Sequence, residues 1–141
     1  MKIMFVCLGN ICRSPMAEYI FKSLDKDNNF IVSSSGISDE EYGNDIYPPA
    51  KAILDQNNIK YDSHFAHKIT KEEYEENDYI IVMEDYHKSR LNNIFGDNKK
   101  VIKLLEKDIE DPWYTGNFEK VYKEIDEGCN IIIKKIKERK I

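Results

Sequence analysis

The chain has 141 residues, of which 41% are hydrophobic and 33% are charged, and its formal net charge is −5. This balance is typical of one globular domain with its own core, here expected over residues 1–141, and it excludes a largely disordered chain. The acidic excess argues against nucleic acid or a membrane surface as a partner. The three cysteines, with no signal-peptide or membrane-spanning pattern, favour a cytoplasmic location.

The first element is a short apolar run, residues 2–6, which predicts a buried parallel strand. It leads into the segment Cys7-Leu8-Gly9-Asn10-Ile11-Cys12-Arg13-Ser14-Pro15. Apolar residues then recur at helical spacing, at Ala17, Ile20, Phe21 and Leu24. Ser14 and Pro15 are predicted as the N-cap and first residue of that helix. The pattern therefore predicts a strand, a loop and a helix, with a cysteine where the strand ends.

This loop is predicted to bind an anion. Free backbone N–H groups and the helix dipole place partial positive charge at the start of the helix. Gly9 and Asn10 tolerate positive φ, which allows successive amides to point into one concavity. Arg13 offers a planar pair of donors to a tetrahedral oxyanion. The same field favours the thiolate form of Cys7, so a bound phosphoryl group would face a nucleophile.

Further strands are predicted at residues 30–32, 79–83 and 101–105, and residues 33–36 are predicted to form a loop of small residues. Helices are predicted to begin at Pro49 and at Thr70, the latter with a capping box to Glu73. A later helix should bury Leu91, Ile94 and Phe95 and end at Gly96.

The last helix keeps an apolar period from Phe118 to Ile136, with Cys129 predicted to pack on its buried face. Strands that alternate with helices predict a parallel sheet with right-handed crossovers. Ligands of such sheets bind beyond the carboxyl ends of the strands, where Cys7 is expected to lie.

The segment from Cys7 to Ser14 resembles the signature of the low-molecular-weight protein tyrosine phosphatases, in which five residues separate a cysteine from an Arg-Ser pair. The strand before it and the Ser-Pro helix start after it make the match more specific than the bare pattern. The resemblance implies a flavodoxin-like α/β domain of three layers, with a four-stranded parallel sheet of order 2-1-3-4 and helices on both faces. It also implies hydrolysis of phosphotyrosine and small aryl phosphates through a phosphocysteine at Cys7, with no metal ion and no cofactor.

The resemblance also implies which residue acts as the general acid. Asp111 opens an Asp-Pro-Trp-Tyr segment that follows the fourth predicted strand and can reach the same sheet edge as Cys7. It is expected to protonate the leaving group and then to activate water against the phosphocysteine. Trp113 and Tyr114 are expected to form a deep aromatic wall for the phosphotyrosine ring, and the alternative for one of them is a partly buried loop anchor.

Other positions match supporting residues of the family. Asn10, Ser34 and His64 match a network that braces the phosphate loop, and the Ser14 hydroxyl matches a donor to the sulfur of Cys7. Cys12 matches a second cysteine that forms a reversible disulfide with the nucleophile, although a small buried hydrophobe is the alternative. The residues expected to bind the substrate are Leu8, Gly9, Asn10, Ile11, Cys12, Ser14, Glu40, Trp113 and Tyr114.

Three positions depart from the family pattern. Glu40 stands where many relatives place an aromatic residue beside the cleft, and an acid there would repel acidic peptides. His67 stands where arginine is common, and Glu84-Asp85 stands where Met is often followed by Asp. The last two departures are predicted to lie outside the chemical centre.

Three other functions compete with phosphotyrosine hydrolysis. A protein-arginine phosphatase of the same architecture carries Thr where this chain has Ile11, and Ile11 with the aromatic pair favours tyrosine. An arsenate reductase needs further relay cysteines, and only Cys129 is available. A phosphopeptide-binding module without turnover has no support, because Cys7, Arg13 and Asp111 are all present.

Two more functions are excluded by motif. A nucleotide-binding loop would require Gly-Lys-Ser/Thr, and a thioredoxin-like site would need two residues rather than four between its cysteines. The expected partners are phosphotyrosine-containing proteins and inorganic phosphate or a similar oxyanion in the active site. The expected oligomeric state is a monomer or a weak dimer.

Overall fold

In the computed structural model, which describes residues 1–141, four parallel strands pair in the order β2-β1-β3-β4. The strands are β1 (Lys2–Cys7), β2 (Ile31–Gly36), β3 (Tyr79–Val82) and β4 (Val101–Lys103). The helices are α1 (Arg13–Leu24), α2 (Pro48–Gln56), α3 (Lys71–Glu76), α4 (Asp85–Phe95), α5 (Pro112–Thr115) and α6 (Phe118–Lys137). This confirms the α/β architecture and the strand order that the family resemblance implied.

The side chains of β1 alternate between two hydrophobic cores, because successive residues of a strand point to opposite faces of the sheet. Ile3, Phe5 and Cys7 pack into the larger core, and Met4 and Val6 pack into the smaller one. Helices cover both faces, as expected for a parallel sheet whose strands are continuously apolar.

The last helix, α6, packs along α1 and closes the larger core. Its buried apolar residues include Val121, Ile125, Cys129 and Ile132. Cys129 is fully buried in this core, as predicted. None of the helices combines the length and the apolar composition needed to cross a membrane.

Residues 33–36 were predicted to form a loop, but they belong to β2 and pair in register with β1, so that Cys7 lies opposite Gly36. A Cβ atom on Gly36 would lie 2.9 Å from the carbonyl oxygen of Leu8. The small residues therefore continue the strand. Their size leaves room for the loop after β1 to lie close to the sheet.

The predicted N-cap of the first helix is also wrong. α1 begins at Arg13, Cys12 occupies the cap position, and no side chain caps the helix. The hydroxyl of Ser14 is engaged elsewhere, because it contacts the sulfur of Cys7, the side-chain amide of Asn10 and the carbonyl of Ser35.

The two helices that flank β3 largely follow the sequence pattern. The capping box between Thr70 and Glu73 is present at α3, and α4 ends at Gly96, which has a φ of 86°. Ile94, predicted to be buried, is 46% exposed. α4 lies over β3 and β4 near the edge of the sheet, and only the row that contains Leu91 reaches the core.

Candidate functional site

The loop between β1 and α1 surrounds a pocket of about 100 Å³. Two other loops complete it, one after β2 and one after β4. Its lining residues are Cys7, Leu8, Gly9, Asn10, Ile11, Cys12, Arg13, Ser38, Glu40, Glu41, Asp111, Trp113 and Tyr114. These distant parts of the chain meet because parallel strands present their carboxyl ends at one edge of the sheet.

The hydroxyl and the backbone N–H of Ser14 both face the sulfur of Cys7. Ser14 Oγ lies 3.0 Å from Cys7 Sγ, and the backbone N–H of Ser14 donates to the same sulfur at 3.4 Å. Ser14 Oγ also accepts a hydrogen bond from Asn10 Nδ2 at 2.8 Å, and its single hydrogen can be donated either to the carbonyl of Ser35 at 3.3 Å or to a thiolate at Cys7, which can only accept. Both donors would stabilise a negative charge on Cys7.

Asn10 holds the loop in its curved form. It is fully buried and adopts the left-handed conformation, with a φ of 62°. Its Nδ2 also donates to Ser34 Oγ at 3.1 Å, and its carbonyl oxygen lies 2.7 Å from His64 Nε2, which must therefore carry a hydrogen. The structure thus brings together the residues expected to brace the loop.

Gly9 was the other residue expected to allow a positive φ, but its φ is not positive. A Cβ atom on Gly9 would lie 3.3 Å from Cγ of Glu41, so the glycine permits a close approach of the loop after β2. Glu40, beside Glu41, is exposed at the mouth of the pocket.

The bracing network extends to Glu18, a residue that the sequence analysis missed. Ser34 Oγ donates to Glu18 Oε1 at 2.7 Å, and Lys22 Nζ donates to the other carboxylate oxygen at 2.7 Å. Glu18 is only 8% exposed. Its position four residues after Ser14, on the same face of α1, was the signal that could have identified it.

The guanidinium of Arg13 is almost completely buried. Its Nη1 donates to Glu84 Oε2 at 2.5 Å and to the carbonyl of Ile109 at 2.7 Å. Its Nη2 lies 3.5 Å from Asp111 Oδ2. The contacts of Nη1 hold the plane of the group in place and leave Nε and Nη2 as donors for an oxyanion.

Glu84 therefore belongs to the chemical centre, and the prediction that it lies outside is wrong. The reason is topological, since Glu84 follows β3 by two residues and emerges at the same sheet edge as Arg13. The His67 side chain contacts Glu73 at 2.8 Å and does not line the pocket. Its backbone N–H, however, donates to Asn10 Oδ1 at 3.3 Å.

His87 was also missed by the sequence analysis. It is 1% exposed, its Nε2 lies 3.5 Å from Glu84 Oε2, and its Nδ1 has no hydrogen-bond partner. Burial, followed by the charge of Arg13, lowers the pKa of His87 to about 3. The imidazole is therefore neutral near pH 7.

Asp111 lies at the rim of the pocket and also caps α5. Its carboxylate accepts a hydrogen bond from the backbone N–H of Trp113 at 3.1 Å. Trp113 is 49% exposed and Tyr114 is 74% exposed, with their rings 5.0 Å apart in an edge-to-face arrangement. The pair forms an open rim instead of the deep wall expected, with Trp113 near the ring of Tyr47.

Cys12 lines the same pocket as Cys7, and both thiols are free. Burial, together with the charge of Cys7, raises the pKa of the Cys12 thiol well above its ordinary value. Cys12 is therefore a neutral thiol beside the proposed nucleophile. The disulfide between the two stays a prediction.

Comparison with known proteins places this arrangement in a family. The model of the family described as low molecular weight phosphotyrosine protein phosphatase matches residues 2–141. The low molecular weight protein-tyrosine-phosphatase PtpA of Staphylococcus saprophyticus is 38% identical over 141 residues, which cover 93% of this chain and 90% of PtpA.

Two solved structures are also similar. The crystal structure of YfkJ from Bacillus subtilis has a TM-score of 0.95 and 33% identity, covering 100% of this chain and 97% of YfkJ. The Drosophila arginine phosphatase DARP has a TM-score of 0.88 and 28% identity, covering 97% of this chain and 98% of DARP. Because the family model and the relatives of more than 30% identity extend over almost all of it, the chain belongs to the low-molecular-weight phosphotyrosine protein phosphatases, a family of hydrolases.

Proposed function

We propose that this protein, as one phosphatase domain over residues 1–141, hydrolyses phosphotyrosine in proteins, as well as small aryl phosphates, through a phosphocysteine at Cys7. The observation that carries the proposal is the pair of Ser14 donors on Cys7 Sγ, at the floor of the pocket that the buried Arg13 borders. Donors at a helix N-terminus stabilise a thiolate, and loop amides with a guanidinium suit a tetrahedral oxyanion.

In the first step, the thiolate of Cys7 attacks phosphorus opposite the phenolic oxygen. The S–P bond forms as the P–O bond breaks, and Asp111 gives its proton to the departing oxygen. Arg13 and the loop amides stabilise the charge on the other phosphoryl oxygens. The products of this step are the dephosphorylated tyrosine and a phosphocysteine.

In the second step, the Asp111 carboxylate takes a proton from water, whose oxygen attacks phosphorus. The S–P bond breaks and inorganic phosphate leaves, while the two Ser14 donors stabilise the thiolate that returns. One aspartate serves as acid and then as base, at a rim where it is 22% exposed and reachable by water. A thiolate, a guanidinium and a carboxyl group together supply the nucleophile, the charge stabilisation and the acid, so the proposed reaction uses no metal ion.

The lining of the pocket favours an aromatic substrate. Leu8 and Ile11 lie on the loop and Trp113 and Tyr114 on the opposite rim, so a phosphorylated ring would contact apolar atoms on two sides. The similarity to DARP keeps phosphoarginine as the competing substrate. The aliphatic side chain of Ile11 offers no hydrogen bond to a phosphoguanidinium, which favours phosphotyrosine.

The test compares Cys7→Ser with Cys129→Ala, a control that removes a buried thiol from the core. We expect the wild type and Cys129→Ala to release phosphate from an aryl phosphate, and Cys7→Ser to release none while still binding vanadate. Phosphate release by Cys7→Ser would contradict the proposed nucleophile.

A panel of phosphotyrosine, phosphoarginine and phosphoserine peptides tests the substrate class. We expect the phosphotyrosine peptide to have the highest kcat/KM. Much faster turnover of phosphoarginine would reassign the substrate while leaving the Cys7 chemistry in place.

A further inference from the structure

We propose that the enzyme prefers phosphotyrosine that is flanked by lysine or arginine, because the rim of its pocket carries carboxylates, two of which, Glu40 and Glu41, pair with no cation. This inference rests on the function proposed above and refines its substrate class. The name acidic rim is used here for Glu40 and Glu41 on one side of the pocket and Asp108 and Glu110 on the other.

On the first side, Glu40 and Glu41 line the catalytic pocket. Glu40 is exposed and makes no ion pair. Glu41 lies over Gly9 and accepts a hydrogen bond from Asn44 Nδ2 at 2.6 Å, a neutral donor that leaves the negative charge uncompensated. A residue next to the phosphotyrosine would therefore meet two carboxylates on this side.

On the second side, the catalytic pocket opens into a depression of about 440 Å³, here called the side pocket. The two share Leu8, Arg13, Asp111 and Tyr114, so they form one continuous surface. The other residues of the side pocket that bear on the argument are Glu84, His87, Asp108 and Glu110, and no lysine lines it. Arg13 is the single cation in the lining of either pocket.

Four cations lie in or beside the side pocket, and three of them pair with carboxylates. Arg13 contacts Glu84, Lys120 contacts Glu110 at 2.6 Å, and Lys103 bridges Asp108 at 2.8 Å and Asp85 at 3.1 Å. The fourth cation, Arg90, donates to the hydroxyl of Tyr86 at 2.8 Å, and Tyr86 lines the side pocket. When Asp111 carries the proton for the leaving group, the four other carboxylates therefore face four cations, and the uncompensated charges of the acidic rim are those of Glu40 and Glu41. The hydrogen bond from Lys120 lowers the pKa of Glu110 to about 2, so this acid is ionised near neutral pH.

His87 adds no positive charge to this surface, because burial lowers its pKa to about 3 and the imidazole is neutral near pH 7. Its imidazole is 1% exposed and lines the side pocket, and its Nδ1 has no hydrogen-bond partner. The neutral ring can direct one N–H at Glu84, which leaves Nδ1 as an acceptor. Nδ1 is buried, so an ammonium or guanidinium that enters the side pocket would meet carboxylates and not this ring.

Exposed ion pairs are individually weak, each changing an equilibrium by roughly 1.4- to 5-fold. Two such pairs, one with Glu40 and one with Glu41, would together give about a tenfold preference. Because the charges are near solvent, the preference should shrink as the Debye length falls from about 30 Å at 0.01 M salt to about 8 Å at 0.15 M.

The experiment measures kcat/KM for three phosphotyrosine peptides that differ only in flanking Lys, Ala or Glu residues. We expect the Lys peptide to exceed the Glu peptide by about tenfold at low salt, with the Ala peptide between them. Glu40→Lys should reduce this ratio to about twofold or less. Asp97→Lys, which makes the same charge change in the exposed loop before β4 at the opposite sheet edge, should keep the ratio of the wild type.

Hydrolysis of a small aryl phosphate by the wild type separates the two proposals. If it is hydrolysed while the Lys and Glu peptides react equally, or the Glu peptide reacts faster, the inference is wrong and the proposed function stands. An equal loss of preference in Glu40→Lys and Asp97→Lys would also overturn it, since net charge and not the acidic rim would then select the peptide. If the aryl phosphate is not hydrolysed, both proposals fail.

Discussion

At Asn10, a left-handed backbone and a set of buried hydrogen bonds coincide in one residue of the phosphate loop. Its side-chain amide contacts Ser14, Ser34 and the backbone of His67, while its carbonyl meets His64. The residue type and the loop predict the positive φ, because asparagine tolerates that conformation better than most residues. The four contacts couple the conformation of the loop to the donor that Ser14 directs at Cys7.

Two substitutions separate the backbone role of Asn10 from its hydrogen bonds. Asn10→Gly and Asn10→Ala both remove the side-chain contacts, so we expect each to lower kcat/KM for an aryl phosphate by roughly tenfold or more. Only alanine is strained at a φ of 62°, which should make Asn10→Ala less stable than Asn10→Gly by about 1 kcal/mol in urea unfolding. Equal stability of the two variants would show that backbone strain is unimportant here.

α5 is the shortest helix of the fold, four residues long, and it carries the proposed acid at its N-cap. Asp111 accepts from the N–H of Trp113, and Gly116, with a φ of 76°, ends the helix. The Asp-Pro pair alone indicates only a turn, and the helix places both the carboxylate and the two aromatic rings on the rim. One side chain thus has a structural and a chemical role.

Asp111→Asn separates these roles, because asparagine caps helices about as well as aspartate but cannot transfer the proton. We expect the stability of the variant to stay within about 0.5 kcal/mol of the wild type. We expect its kcat to fall by roughly 10²–10⁴-fold for an aryl phosphate with a poor leaving group, and far less for one with a good leaving group. Equal slowing of both substrates would contradict the role of acid.

Across the whole molecule, the ends of β1, β2, β3 and β4 converge on one edge of the sheet and bring several ionisable groups into a small volume. His87 is one of these groups, and burial, followed by the charge of Arg13, lowers its pKa from 6.5 to about 3. In the unfolded chain the imidazole accepts a proton near its ordinary value, whereas the folded protein keeps it neutral. Below about pH 6.5 the unfolded state therefore binds more protons, and acid favours unfolding.

We expect this single residue to cost the wild type about 2 kcal/mol of unfolding free energy between pH 7 and pH 5. His87→Gln cannot titrate in this range and should lose less stability over the same interval by about that amount. Urea unfolding of both proteins at the two pH values gives the comparison. Parallel losses in the two proteins would mean that His87 is not held neutral in the fold.

The local chemistry of the site was predictable because it lies within one short segment. From Cys7 to Pro15, residue types at fixed spacing predict a strand end, a loop suited to an anion and a helix start. The contacts that hold the loop come from Ser34, His64 and His67 elsewhere in the chain. The sheet order came from the resemblance to a known family. The error at Ser14, expected as an N-cap, arose because its hydroxyl has partners on the neighbouring loop and strand.

Glu18, Glu84 and His87 became part of the site only through tertiary structure. In its own segment, each has the spacing of an ordinary exposed polar residue. Its burial and its charge partner depend on a segment that is distant in the sequence and packs against it in the fold. The fold places Glu84 against Arg13, 71 positions earlier, and Glu18 against Ser34 on the adjacent strand. The sequence by itself determined the nucleophile's loop and the family, whereas long-range packing decided which carboxylates hold the arginine, brace the loop and surround the pocket.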